Sequence, residues 1–492
     1  MAMIKVEDLT FAYPGHYDNV FENVSFQFDT DWKLGFVGRN GRGKTTFLKL
    51  LMGEYECKGQ ITAPVNFDYF PYAVSHPERS LKEIMEEVCP QAQEWEFLRE
   101  LSRLELGEEV LDRSFSTLSN GERTRAMLAA LFLREGSFLL IDEPTNHLDG
   151  QGRERVAEYL RGKKGFLLVS HDRRFLDGCV DHVLSLNRAD ITIQSGNFSS
   201  WMENFRRQQE FEETQNRRLK KDVKRLQQAA GRTEEWSDRV EATKMGSRNS
   251  GLRPDRGYIG HRSAKMMKRS KTIEARQEKA LEEKMGLLRN RETAQALKLF
   301  PIRYHSETLV TFDKVEIVYN GYAVCPPISF QIDRGERLAL DGPNGSGKSS
   351  LLKLLLGQDI PHRGTVTAGS GLVISYVPQD TSCLRGSLSD LAREGGIDES
   401  LFKAILRKMD FERVQFEKDA ADLSEGQKKK VLLAKSLCEK AHLYIWDEPL
   451  NFIDVYSRMQ LEDLIREFSP TLLFVEHDAA FREEIAAKIV EV

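Results

Sequence analysis

Four short motifs occur twice in this chain, in one order and at matched spacings. The first is a glycine-rich loop, Gly38-Arg-Asn-Gly41-Arg-Gly43-Lys44-Thr45, which returns as Gly342-Pro-Asn-Gly345-Ser-Gly347-Lys348-Ser349. Then comes Leu118-Ser119-Asn120-Gly121-Glu122, matched later by Leu423-Ser424-Glu425-Gly426-Gln427. Each is followed by an apolar run closing on Asp142-Glu143-Pro144 or Asp447-Glu448-Pro449, and then by Ser170-His171-Asp172 or Glu476-His477-Asp478. Lys44 precedes Ser119 by 75 residues and Lys348 precedes Ser424 by 76; both serines precede the aspartate by 23. A repeated order at repeated spacing predicts a duplicated α/β domain, about 1–197 and about 306–492, with 198–305 between the copies.

The motifs carry phosphate chemistry. GxxxxGK[ST] is a loop whose backbone N–H groups converge on one anion, and its glycines permit the tight turn. Leu34 to Val37 and Leu338 to Leu340 read as the strands entering the two loops, and the leucine-rich runs after them read as helices whose N-termini face the phosphates. Gly38, Asn40, Gly41, Gly43, Lys44, Thr45 and Thr46 therefore form one ATP site, and Gly342, Asn344, Gly345, Gly347, Lys348, Ser349 and Ser350 the other. Lys44 and Lys348 reach the outer phosphates, while the hydroxyls of Thr45 and Ser349 ligate Mg²⁺. Asp142 and Asp447 end hydrophobic strands, where a carboxylate holds the metal. Glu143 and Glu448 come next, directed elsewhere by strand alternation, and are placed to activate a water. His171 and His477 end the following strands, within reach of the γ-phosphate.

Composition narrows the setting. No stretch of the 492 residues approaches the ~18 consecutive apolar residues of a membrane helix, and the N-terminus has no signal-peptide core. The expectation is a cytoplasmic protein. Its six cysteines are scattered without CxxC or His/Cys clustering, which argues against structural zinc. The net charge of −5 hides an asymmetry: residues 205–300 hold 25 Lys and Arg against 14 Asp and Glu, a net +11, leaving −16 elsewhere. A basic segment joining two acidic halves points to an anionic partner.

Residues 199–245 and 262–298 read as two long helices around a Gly-rich break. Met266, Ile273, Ala280, Leu287 and Ala294 fall seven apart, and Leu219, Val223, Leu226 and Ala230 make a facing seam, so an antiparallel coiled-coil hairpin is expected. Its tip, about 246–262, lies in the most basic stretch: between 244 and 271 there are nine Lys or Arg and one Asp. Lys244, Arg248, Arg253, Arg256, Arg262, Lys265, Lys268 and Arg269 suit phosphate contacts. Tyr258 and His261 are able to stack on an unpaired base.

The Leu-Ser-x-Gly-Glu/Gln element resembles the signature of ABC ATPases. In that family two cassettes meet head to tail, and the resemblance implies that Ser424 and Gly426 complete the first site while Ser119 and Gly121 complete the second. It further implies that Tyr13 and Tyr319 stack on adenine, that Gln379 contacts Mg²⁺ and water, and that Asp149 and Asp454 lie in the loop that crosses between the halves. One position departs from the pattern: Tyr69-Phe70-Pro71-Tyr72 matches Tyr376-Val377-Pro378-Gln379, putting Tyr72 where the glutamine belongs, so two unequal sites are expected.

Tandem cassettes joined by a helical hairpin, together with Asp142-Glu-Pro-Thr-Asn-His-Leu-Asp149, resemble the ABC-F translation factors. That resemblance implies binding at the ribosomal exit site, with the linker reaching P-site tRNA and the large-subunit rRNA of the peptidyl transferase centre. DNA-repair and chromosome ATPases differ, since their coiled coil interrupts a single cassette, so neither DNA nor a membrane is an expected partner, and the chain reads as a monomer. The short interval from Tyr72 to Leu118 and the long basic tip resemble the branch protecting against lincosamides, streptogramin A compounds and pleuromutilins. A housekeeping ABC-F factor and the ATPase subunit of a transporter are the alternative readings.

Overall fold

The computed structural model describes residues 2–14, 19–186, 191–211, 214–215, 261, 264–265, 268, 272, 297–319 and 321–492. The chain divides into two compact units, Met1–Ser199 with Thr293–Val492, and Ser200–Glu292.

The first unit holds the two copies, each built on a parallel sheet. In the first copy the strand order is Asn66–Phe70, Ser137–Asp142, Phe166–Val169, Lys33–Gly38, His182–Leu186 and Ile191–Ser195, parallel but for the last pair. In the second it is Ile374–Val377, Leu443–Asp447, Leu472–Val475, Arg337–Asp341 and Lys488–Glu491, all parallel. The central strands are apolar along their whole length because helices cover both faces. Phe166, Leu167 and Leu168 are wholly buried, as are Leu472, Leu473 and Phe474. Each such side chain contributes about 1.5–3 kcal/mol on burial.

Each copy also carries an antiparallel sheet. Met3–Phe11 pairs with Phe21–Asp29 and Lys58–Thr62. Thr308–Tyr319 pairs with Ile328–Asp333, with His362–Ala368 and with the short strand Tyr322–Ala323. Those strands alternate buried and exposed residues, as one-sided packing requires. Between these layers run the helices Lys44–Leu51 and Lys348–Leu355, each leaving a phosphate loop at the carboxyl end of a central strand. Two tandem α/β cassettes, as expected, make up this unit.

In the second unit the helical backbone at 200–211 is exposed along most of its length, and His261, Lys265 and Lys268 are exposed helical residues. The expected heptad seam, and Lys244, Arg248, Arg253, Arg256, Tyr258, Arg262 and Arg269, lie outside the described residues.

Candidate functional site

The two phosphate loops have the same skeleton. Gly41, Gly43, Gly345 and Gly347 all have positive φ, the region glycine enters without steric cost. Both lysines are buried under their own loops. Lys44 Nζ donates to the carbonyl of Gly38 at 2.8 Å, and Lys348 Nζ to the carbonyls of Gly342 and Pro343, each at 2.8 Å. Burial pulls both amines below the ordinary lysine range, against nearby carboxylates that pull the other way. An anion at the loop would restore full ionisation.

The residues expected to hold the metal also meet. Thr45 Oγ1 donates to Asp142 Oδ2 at 2.9 Å, and Ser349 donates to Asp447. Burial raises both carboxyls. Asp447 Oδ1 is buried with no hydrogen-bond partner among the described residues. A desolvated carboxylate oxygen beside a hydroxyl suits a hard cation completed by phosphate oxygens. No group of three or more His, Cys, Asp or Glu that could hold a metal occurs among the described residues. One protein carboxylate per site accords with a magnesium brought in on a nucleotide.

Glu143 and Glu448 are aimed by the backbone rather than by strand alternation. The strands end at Asp142 and Asp447, and both glutamates then take φ near +50°, at 49° and 46°. Such a conformation costs on the order of 1–3 kcal/mol and concentrates at functional positions. Glu143 is pushed up to about 8 by burial and then by Asp142 beside it. Glu448 shifts upward for the same two reasons, and is tied to Asn451 Nδ2 at 2.5 Å and to Gln379. His171 Nε2 lies 3.0 Å from Asn40 Oδ1 and 3.3 Å from Glu143, whereas His477 Nε2 lies 3.7 Å from Glu448.

Burial holds His171 well below the usual imidazole range and drives His477 down to about 4, Arg153 and Lys348 adding repulsion there. A histidine buried neutral binds its proton only in the unfolded chain, so stability falls as pH drops below about 6.5. Between pH 7 and pH 5, without nucleotide, the melting temperature of the wild type should therefore decline more than that of His171→Gln. Equal declines in a thermal scan would contradict the neutral assignment.

Each signature serine begins a helix. Ser119 caps Asn120–Leu131 and Ser424 caps Glu425–Cys438, each in a reciprocal capping box with Glu122 or Gln427 three residues on. The Ser-x-Gly-Glu/Gln pattern is thus a capped helix start, whose N-terminus suits an anion.

The two sites form between the cassettes and differ. A cavity of about 950 Å³ surrounds the second phosphate loop. Tyr319, Asn344, Gly345, Gly347, Lys348, Ser349, Ser350, Gln379, Glu448 and His477 line it from one cassette; Ser119, Gly121 and Asp149 line it from the other. At the first site the cassettes touch directly. Asn40 Nδ2 donates to the carbonyl of Phe452 at 2.6 Å, and a Cβ on Gly426 would lie 2.6 Å from that carbonyl and 3.2 Å from Asn40 Nδ2. Asp454, fully buried, binds Lys430 at 2.8 Å, and Lys430 holds its carboxyl below the usual range against burial. Away from the sites, Arg173 pairs with Glu462 across the same interface.

Tyr13 and Tyr319 are placed alike, half-exposed, their hydroxyls bonded to Thr46 at 2.6 Å and Ser350 at 2.9 Å. Tyr72 is partly buried beside Cys89, and the hydroxyl that reaches Asp142 Oδ2, at 3.0 Å, belongs to Tyr69.

Lys429 was not among the expected site residues. It is 1% exposed and donates to the carbonyls of Pro378, at 2.8 Å, and Asp447, at 3.0 Å, tying the run before Gln379 to the metal-holding strand. Burial drives its amine to about 8, with Glu476 the first of the carboxylates opposing that shift. At the corresponding positions the first cassette has Thr124 and Ser170, both uncharged. The pair of charges was visible in the sequence as two departures between copies, separated by 47 residues.

A fold with two such interfacial phosphate sites defines a phosphate-loop nucleotide-binding protein. The family model described as ABC transporter matches residues 21–146 and 325–451, just over half of the chain. The protein therefore belongs to the ABC transporter family, and it is an ATPase that uses ATP with Mg²⁺. No helix among the described residues is long and apolar enough to cross a membrane.

Similar curated proteins match nearly end to end. The ribosome protection protein VmlR of Bacillus subtilis is 28% identical, over 96% of this chain and 84% of its own. The energy-dependent translational throttle protein EttA of Haemophilus influenzae is 27% identical, over 96% and 89%. The ATP-binding protein Uup of Caulobacter vibrioides is 29% identical, over 96% and 74%. These matches support the ABC-F resemblance. Among solved structures, the archaeal ribosome recycling factor aABCE1 in complex with stalk protein aP1 has a TM-score of 0.63 at 20% identity, covering 98% of this chain and 87% of that one. The RNase-L inhibitor gives 0.61 at 19%, covering 99% and 87%. At such identities they establish the fold alone.

Proposed function

We propose that this protein is an ABC-F translation factor of the cytoplasm that binds the ribosome when ATP closes its cassettes. The observation that carries the reading is the near-complete match of a two-cassette chain to VmlR and EttA, whose names place them at the ribosome and in translation. In this account ATP binds the closed form preferentially and so acts as a switch. Lys44 and Lys348 hold the outer phosphates, and Thr45, Asp142, Ser349, Asp447 and Gln379 would hold Mg²⁺, which would supply charge neutralisation for the phosphates. Glu143 and Glu448 orient water for attack, with His171 and His477 at the γ-phosphate. Hydrolysis opens the clamp and releases the ribosome.

The finer reading is protection from large-subunit antibiotics: lincosamides, streptogramin A compounds and pleuromutilins. The resemblance to VmlR, the short Tyr72–Leu118 interval and the basic stretch around 246–262 support it. The linker then reaches the P-site tRNA and the peptidyl transferase centre, with Tyr258 at its tip. A drug-susceptibility panel tests this. Cells making the protein should tolerate at least one of the three classes, and Tyr258→Ala should abolish that tolerance while ATP binding stays intact. Ribosome binding with unchanged susceptibility to all three would leave the housekeeping factor as the correct reading. A transporter subunit gains no support from these whole-chain relatives.

A further inference from the structure

The two phosphate loops differ at two positions that face the other cassette. Arg39 and Arg42 stand in the first loop where the second has Pro343 and Ser346. Both arginines reach Asp410 of the second cassette. Arg42 Nη2 donates to its two carboxylate oxygens at 3.3 and 3.1 Å, and Arg39 Nη1 lies 3.9 Å from Oδ2. The Arg39 guanidinium also sits 5.3 Å from the ring centroid of Tyr456. Arg39 is 4% exposed and Asp410 17%, so this cluster is shielded from most of the screening that weakens surface pairs.

Asp410 is held for this contact. Its φ of 65° turns the side chain out of the helix it follows. Lys430, from the signature helix, donates to the carbonyl of Met409 at 2.8 Å and pairs with Asp454, fixing the loop on both sides.

The other copy supplies an internal control. Glu105 precedes Ser119 by 14 residues, as Asp410 precedes Ser424. It too has positive φ, at 53°, and Arg125 anchors Leu104 as Lys430 anchors Met409. Yet Glu105 pairs with Arg155 of its own cassette at 2.8 Å, at the edge of the 950 Å³ cavity. Proline and serine in the second loop offer no cation to draw it across. One acidic loop position is thus used across the interface at the first site and within a cassette at the second.

We propose that Arg39, Arg42 and Asp410 form a latch that keeps the first ATP site closed and its nucleotide slowly exchanging, while the second site opens and turns over. These are positioning residues: they act by holding the first phosphate loop against Gly426 and Phe452. The inference rests on the two-site ATPase and not on ribosome binding, so either can fail without the other.

The test uses the full chain with Glu143→Gln and Glu448→Gln to suppress hydrolysis. It is loaded with a fluorescent ATP analogue and Mg²⁺ and chased with excess ATP in a stopped-flow instrument. Two release phases are expected, and Lys348→Ala should remove the fast one. Asp410→Asn should accelerate the slow phase about tenfold or more, the kinetic equivalent of ~1.4 kcal/mol. Arg42→Ser, which installs the second loop's residue, should do the same without altering Asp410. Asp410→Glu, which keeps the charge, should retain the slow phase. A slow phase unchanged by both Asp410→Asn and Arg42→Ser would overturn the latch, as would a single phase from two loaded sites.

Discussion

Replacing Glu143 and Glu448 together with Gln lowers steady-state ATP hydrolysis by about 10²–10⁴-fold, the range general-base catalysis supplies. The substitution keeps shape and hydrogen bonding, so Asn451 and Gln379 retain their partner at position 448. It removes only the ability to take a proton. Burial and the neighbouring Asp142 raise the Glu143 carboxyl above the ordinary range, which strengthens it as a proton acceptor. Binding of the nucleotide should persist, since the lysines, the hydroxyls and the metal-holding aspartates are untouched. Equilibrium binding of a fluorescent ATP analogue beside a phosphate-release assay separates the two effects. Full hydrolysis in the double variant would remove both glutamates from the chemistry.

Gly426→Ala gives the second large effect, through space alone. The new methyl carbon would lie 2.6 Å from the Phe452 carbonyl, which is backbone and cannot swing aside. The signature helix must then shift against the Phe452 loop of its own cassette, disturbing the carbonyl that the Asn40 amide reaches from the first phosphate loop. Overpacking of this kind costs typically about 1–3 kcal/mol, or roughly 5- to 150-fold in closing the site. Since Asn40 of the other cassette bonds that same carbonyl, the loss should show in hydrolysis more than in the melting temperature of either core. Unchanged hydrolysis in Gly426→Ala would mean that the close approach at the first site is not used in turnover.

Much of this was legible because the chain states it twice. Periodicity and glycine placement located the strands and helices around Lys44 and Lys348, since a phosphate loop is a local structure with local rules. The capping boxes at Ser119 and Ser424 were equally local. What the sequence concealed depends on which groups meet in space. Strand alternation was the wrong device for Glu143 and Glu448, because the strand stops one residue earlier and a left-handed turn aims them. Chain alignment puts Tyr72 opposite Gln379, and nothing in it announces that the Tyr69 hydroxyl reaches Asp142. Lys429 is one of three successive cations, Lys428-Lys429-Lys430, and its packing is what ties this amine to two carbonyls. Arg39, Arg42 and Asp410 are some 370 residues apart, and no periodicity links them.

The central claim is that ATP closes this clamp into the form that engages the ribosome. Its most direct measurement is sucrose-gradient sedimentation of the Glu143→Gln, Glu448→Gln variant with purified ribosomes, with and without ATP and Mg²⁺. The account predicts that the variant travels with ribosomes when ATP is present and stays at the top of the gradient without it. A variant that binds ATP yet remains at the top in both gradients would contradict the account.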